Sequence, residues 1–506
     1  MTTETVETII VGTGFSGLSA AHELLAAGRT DFLLIDQADQ VGGVWRDNQY
    51  PNAACDVPAH LYSLSFAPNT EWSSNYAPWH EILAYMNRVV DDLGIRGRIR
   101  FATQLVAATW QEQSGEWLLT LADASTVHCR YLISAVGALS RPLIPELPGM
   151  EEFGGEILHT AQWHEGVKLA GKRAAVIGAG ASAVQVLPYA VDTAAEVLAV
   201  VRTPPYVMPK PEELYDEPAK AKFRADPGEL LRRRQEHYDG FNVATEAQAT
   251  MDPVFLDRAE ADWRTHMESA ISDPDLRRVL TPDYRWGCRR PVVSNIYYPA
   301  LADPKTTVWD VGIVAMTPTG VVGSDGREWD ADVVILATGF RGTELFDGVD
   351  YIGMDGQQLS KEWATAPEAW KGTLVAGFPN LFLITGPNTQ ASGSIIGIIE
   401  AQTRMSVALM DLADRVDATA SVAVTRDAQH RYNEWLDITM AGTVWQIGGC
   451  ASWYRIGGTG KVVTKYPGSS ASFEAVTADL NPADLVFVVD GQQVPGGQEL
   501  SRASTH

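Results

Sequence analysis

Two periodicities alternate along this chain. Short aliphatic or β-branched runs stop abruptly at glycines, and stretches of helical spacing follow them. Thr8–Val11 is such a run, with Gly12-Thr-Gly14-Phe-Ser-Gly17 directly behind it. Leu18, Ala21 and Leu25 then recur at helical spacing, Gly28 ends the helix, and a second apolar run, Phe32–Ile35, closes on Asp36. The same order returns further on. Arg173–Ile177 meets Gly178-Ala-Gly180-Ala-Ser182-Ala183, helical spacing continues through Val184 and Leu187, and Val197–Val201 follows. Thr103–Thr120, Cys129–Gly137 and Val333–Leu336 also read as strands, and Ser394–Met410 as a helix. Between Pro209 and Tyr284 the glycine turns vanish, and Glu229–His237 and Asp257–Ile271 show helical spacing broken by Pro and Asp. This pattern predicts an α/β fold with two Rossmann-like dinucleotide-binding domains and a helical insertion.

Each glycine turn has a chemical reading. Gly12 permits the tight turn, Gly14 lets a pyrophosphate approach the backbone, and Gly17 allows close helix–strand packing. Gly178, Gly180 and Ser182 occupy the equivalent turn of the second unit, where Ala183 stands at the third small position. The helix N-terminus behind each turn offers free N–H groups and a positive dipole end. The two units differ where the ribose is read. Asp36 can accept hydrogen bonds from ribose hydroxyls, whereas Arg202-Thr203-Pro204 ends the corresponding strand of the second unit. A carboxylate there would repel a 2′-phosphate and a guanidinium would clamp it, so NADP is expected over NAD. A solvated surface arginine is the alternative for Arg202. One acidic and one basic dinucleotide site in a single chain imply electron flow from NADPH to a flavin.

Phe153, Gly155, His159 and Trp163 fit F-x-G-x-x-x-H-x-x-x-W between the two units. This resembles the fingerprint of Baeyer–Villiger monooxygenases, with His164 where that family usually has Pro or Asp. Val41-Gly-Gly43-Val-Trp45 resembles the family's isoalloxazine-side loop, and Asp56 its acid near the flavin, although Asn52 and Ala54 depart from the usual Gly and Arg. Asp56 could equally be a turn aspartate bonded to its own backbone. Trp286-Gly-Cys-Arg289-Arg290-Pro291 resembles the family's Lys-Arg-Pro motif. That match implies Arg289 at the 2′-phosphate and Arg290 as the catalytic arginine, held by Asp56. Thr338-Gly339 looks like the second crossing between domains, Thr385-Gly386-Pro387-Asn388 precedes a helix that faces the flavin in similar proteins, and Ser452-Trp453 resembles the loop that closes over the nicotinamide. The resemblance spans Val6 to Tyr466, where Tyr466-Pro467 replaces the commoner Trp-Pro.

The resemblance implies FAD and NADP as cofactors, with residues 1–147 and 340–490 holding FAD and residues 148–208 and 286–339 holding NADP. Residues 209–285 would be the insertion, covering the substrate side or merely solvated, and 491–506 a frayed tail. It further implies that NADPH reduces FAD, that oxygen adds to give a flavin C4a-peroxide, and that this attacks a ketone to give an ester or lactone. Related enzymes oxygenate nitrogen or sulfur on the same scaffold, so a thioether or amine substrate is the alternative.

Composition narrows the partners. With 506 residues, 45% of them hydrophobic and 20% charged, the chain is long enough for two or three folded domains. A net charge of −24 argues against nucleic acid and against an anionic membrane surface. No apolar run is long enough for a membrane span, and no basic leader precedes Val6, so a cytoplasmic location is expected. Cys55, Cys129, Cys288 and Cys450 form no C-x-x-C, which offers neither a metal site nor the redox pair of a disulfide reductase. Reduced thiols are expected.

Overall fold

The computed structural model describes residues 4–346, 348–489 and 491–496. Its first sheet is built around the strand Glu4–Val11, which lies parallel between Thr126–Ser134 and Phe32–Ile35, with Thr8 opposite Phe32 and Val11 opposite Ser134. Leu381–Leu383 extends the parallel core beyond Thr126–Ser134, and Ile99–Arg100 extends it beyond Phe32–Ile35. The second sheet is parallel throughout, in the order Thr306–Trp309, Glu196–Val200, Arg173–Ile177, Val333–Leu336, Glu156–His159. Val333–Leu336 is buried at every position, as expected of a parallel strand with both faces covered.

The glycine turns sit at the carboxyl ends of these strands. Gly12 has φ 108°, and a Cβ there would fall 2.5 Å from the Ala135 carbonyl oxygen. A Cβ on Gly17 would lie 2.0 Å from the Gly12 carbonyl oxygen, so only glycine lets the helix Phe15–Ala26 pack this close to its strand.

The segment expected as one strand over Thr103–Thr120 is two, Leu105–Gln111 and Glu116–Leu121, paired antiparallel across a turn at Gly115. The region after Pro209 holds the helices Glu217–Ala225, Pro227–Ala249, Pro253–Ala270 and Pro274–Val279. Pro and Asp start these helices instead of breaking them. Asp226, Asp252 and Asp273 each cap an N-terminus and precede a proline at the first helical position, where a missing N–H costs nothing. The frayed tail expected from residue 491 is corrected in part. Gln492–Pro495 pairs antiparallel with Leu485–Val489 across a turn containing Gly491 at φ 74°. Residues 497–506 lie outside the described residues.

The chain crosses between the two sheets twice, and the crossings are bonded to each other. Pro142 and Phe340 form an antiparallel bridge, Leu143 N–H donates to the Gly339 carbonyl at 2.8 Å, and the Thr338 hydroxyl donates to the Leu143 carbonyl at 2.6 Å. Thr338 and Gly339, expected at a cofactor, therefore have their first partners in this hinge.

Candidate active site

Both helix N-termini suit phosphate. The helix Phe15–Ala26 has Gly14 as its cap residue and no side-chain cap, with Phe15, Ser16 and Gly17 buried behind it. Ala181–Thr193 likewise starts from Gly180 without a side-chain cap, and a Cβ on Gly180 would meet nothing within 4 Å. Backbone donors left without partners beside empty space are what a diphosphate group satisfies. Gly43 belongs to the same wall, because a Cβ on it would lie 3.2 Å from Gly14 Cα. Trp45 Nε1–H donates to the Tyr62 hydroxyl at 3.1 Å, which fixes that loop. Asp36 stands at the end of Phe32–Ile35 and accepts from Thr13 N–H at 2.8 Å and from its hydroxyl at 2.6 Å. Its other oxygen accepts from Ala38 N–H at 2.9 Å and faces Arg46 at 3.4 Å.

Asp56 and Arg290 meet across 234 residues of sequence. Arg290 Nε donates to Asp56 Oδ2 at 2.9 Å and Nη2 donates to Oδ1 at 2.5 Å, a bidentate pair. The Asp56 charge raises the arginine's pKa, and burial opposes it. The Arg290 side chain keeps 40% of its surface open, against 19% for Asp56. Both Asp56 carboxylate oxygens are thus engaged by the arginine.

Arg289 donates from Nε to the Ala451 carbonyl at 2.7 Å and from Nη1 to the Thr203 carbonyl at 3.4 Å. It thus stands beside the Arg202-Thr203 end of Glu196–Val200. Arg202 is exposed and makes no ion pair among the described residues. Two guanidinium groups without a carboxylate between them suit a 2′-phosphate. The expectation of reduced thiols is corrected here, since Cys288 and Cys450 form a disulfide that ties the Arg289–Arg290 loop to the loop bearing Trp453. Partners 162 residues apart leave no spacing signature in the sequence. Cys55 and Cys129 are free and buried, and burial raises both thiol pKa values. Cys450→Ser should lower stability by about 2–5 kcal/mol, read from the denaturant midpoint.

Of the F-x-G-x-x-x-H-x-x-x-W residues, His159 touches the hinge. His159 is 1% exposed, and its Nδ1 accepts from Ala161 N–H at 3.1 Å, which leaves Nε2–H to donate to the Gly339 carbonyl at 3.1 Å. A Cβ on Gly155 would meet the Asp332 carbonyl oxygen at 2.5 Å, Phe153 is buried in the core of the second sheet, and Trp163 packs edge-on to Tyr189. Burial lowers the His159 pKa from its ordinary 6.5. The histidine's contribution to stability is therefore complete above about pH 6.5 and lost as pH falls through the lower folded value. His159→Gln should flatten the melting-temperature profile below pH 6.5; an unchanged profile would contradict this.

Residues 10–78 match the family described as an NAD(P)-binding Rossmann-like domain. Over 476 residues the chain is 37% identical to a Baeyer–Villiger monooxygenase of Pseudomonas aeruginosa, covering 92% of this chain and 89% of that protein. The chain belongs to the Baeyer–Villiger monooxygenases. It is also 31% identical to an FAD-binding monooxygenase of Aspergillus niger, across 96% of this chain and 82% of that one. Among solved structures it is similar to an oxidised steroid monooxygenase bound to NADP, with a TM-score of 0.84, 28% identity and coverage of 94% and 97%.

Within this Baeyer–Villiger monooxygenase, departures from the family pattern have local explanations. Asn52 adopts φ 65°, the left-handed region that asparagine tolerates better than other non-glycine residues. Its amide donates to the Gln185 carbonyl at 3.4 Å. His164 faces Glu156 at 3.4 Å on the surface. Asn388, expected at the cofactor, donates both amide hydrogens to backbone, to the Val462 and Lys465 carbonyls at 3.1 and 2.9 Å. Trp453 is 40% exposed and lies over Gly342, where a Cβ would be 2.9 Å from its ring.

Several residues at the cleft escaped the sequence analysis. Gln185 accepts from the Tyr50 hydroxyl at 2.8 Å and donates to the Ala54 carbonyl at 2.9 Å, joining the second nucleotide unit to the Asp56 loop. Gln248, from Pro227–Ala249, is buried and accepts from the Ser392 hydroxyl at 2.6 Å. Thr245 on the same helix donates to the Ser392 carbonyl at 3.1 Å. The inserted helix Pro227–Ala249 is therefore packed on the Ser392 segment. Lys465 completes this group, donating to Ser392 Oγ at 3.2 Å.

Proposed function

We propose that this monooxygenase uses FAD, NADPH and molecular oxygen to insert one oxygen atom beside a ketone carbonyl, giving an ester or lactone. Residues 1–147 and 340–490 hold FAD, residues 148–208 and 286–339 hold NADP, and residues 209–285 form part of the substrate wall. The observation that carries this reading is the bidentate Asp56–Arg290 pair, whose Asp56 loop is bonded at Ala54 to Gln185 of the helix Ala181–Thr193. When bound, FAD accepts the hydride of NADPH and activates oxygen.

The chain's own residues bind, orient and supply fixed charge. The backbone donors around Gly12, Gly14 and Gly17 hold one diphosphate, with Asp36 at its ribose, and Gly43 and Trp45 support the ring system. Gly178, Gly180 and Ser182 hold the other diphosphate, and Arg202, Thr203 and Arg289 hold its 2′-phosphate. Arg290 stabilises negative charge that develops on oxygen in the cleft, and Asp56 fixes its guanidinium so that little reorganisation is needed as charge moves. Phe153, Gly155, His159 and Trp163, with Thr338 and Gly339, keep the hinge in register, Asn388 anchors the Lys465 segment, and Trp453 covers the nicotinamide.

A ketone and a thioether offered together to the FAD-loaded enzyme test the reading, and an amine can replace the thioether. Ester formation from the ketone is expected. Sulfoxide or N-oxide as the sole product would contradict it and favour heteroatom oxygenation.

A further inference from the structure

Lys465 is a buried cation that the proposed reaction does not use. It is 4% exposed, and its ammonium stands 4.8 Å from the Trp445 ring centre and 5.3 Å from that of Tyr454. Among the described residues its ammonium has one hydrogen-bond partner for three donors, Ser392 Oγ at 3.2 Å. Ser392 in turn leans on Gln248. Among the described residues no carboxylate pairs with Lys465. The Arg290 guanidinium acts on it with the same sign, and burial and that repulsion together lower its pKa to about 7. A buried charge without a counter-charge is costly, and two ring faces and a hydroxyl offset only part of that cost.

Each anion assigned so far has other partners. Diphosphates belong to the turns at Gly12–Gly17 and Gly178–Ser182, the 2′-phosphate belongs to Arg202 and Arg289, and Asp56 is taken by Arg290. Lys465 instead occupies the junction of three segments, the Asn388–Ser392 loop, the inserted helix bearing Gln248, and the Tyr454 loop, within reach of the Arg290 charge. We propose that Lys465, with Ser392 and Gln248, binds a carboxylate carried by the ketone, so that the substrates are oxo-carboxylic acids. Trp445 and Tyr454 line the hydrocarbon between the two groups. The proposal rests on the Baeyer–Villiger reading. One oxygen atom of O2 enters the bond between the carbonyl carbon and its neighbour, and the other leaves as water. NADPH supplies two electrons, a proton is taken up, and the carboxylate is unchanged.

The test titrates oxidised enzyme, loaded with FAD and NADP+, with linear oxo acids of increasing ketone-to-carboxylate separation and with their methyl esters. Flavin absorbance reports binding. At one separation or more, the acid should bind at least about 30-fold more tightly than its ester, the lower end for losing one partner of a buried charge pair. Lys465→Met should abolish that preference by weakening only the acid, and Lys465→Arg should restore part of it. The acid's affinity should fall as pH rises through about 7, with Arg290 and the Tyr454 phenol as the ionisable groups facing the ammonium. Equal binding of acid and ester at every separation, no binding of any acid, or full preference retained in Lys465→Met overturns the proposal. The acid–ester comparison needs no variant, so misfolding cannot mask the answer. Product analysis separates the two claims: acid preference without ester product defeats the reaction, and ester product without acid preference defeats the carboxylate site.

Discussion

Arg290→Ala should form ester about 100- to 1000-fold more slowly than the parent enzyme, while NADPH still bleaches the flavin under anaerobic conditions at an unchanged rate. The magnitude is that of removing one preorganised electrostatic donor from a site where charge develops. The separation of the two half-reactions follows from the geometry. Arg290 is bonded to Asp56 at 2.9 and 2.5 Å and, among the described residues, has no hydrogen bond to either glycine turn, so flavin reduction should survive its loss. Aerobic NADPH consumption should continue, with hydrogen peroxide released in place of ester. Full ester yield from the variant, or loss of flavin reduction together with ester formation, would show that Arg290 has another task. Asp56→Asn should fall in the same direction by a smaller factor, because the guanidinium stays but loses its counter-charge and one orientation restraint.

Arg202→Ala should raise the KM for NADPH by about 10- to 100-fold and leave that for NADH unchanged. A hydrogen bond to a charged group contributes roughly 1.5–3 kcal/mol, and among the described residues Arg202 has no carboxylate partner. Arg289→Ala should act in the same sense but also loosen the Ala451 carbonyl contact, so its kcat should fall as well. Equal effects on NADPH and NADH would place both guanidinium groups away from the 2′-phosphate.

What the sequence could show depends on how far apart the cooperating residues lie. The glycine turns were legible because strand, turn, helix and ribose-reading residue fit within about 30 consecutive positions, the length of one βαβ unit. Asp56 and Arg290 could be paired only through resemblance, since no local pattern connects residues 234 positions apart. The Cys288–Cys450 disulfide was missed for the same reason. Lys465 carries no signal at all. A lysine between Thr464 and Tyr466 reads as a surface charge, and only the folded positions of Trp445, Tyr454 and Ser392 enclose it. Pro and Asp in the inserted region were misread because either residue can break a helix or begin one. Where Asp accepts from the first-turn N–H groups and Pro follows, the pair begins it.

Oxidation of a ketone under isotopically labelled oxygen gas tests the central claim most directly. The wild-type enzyme, loaded with FAD and supplied with NADPH, should give ester or lactone that contains one labelled oxygen atom per NADPH consumed. Consumption of NADPH with the ketone recovered intact and all label found in hydrogen peroxide would contradict the account.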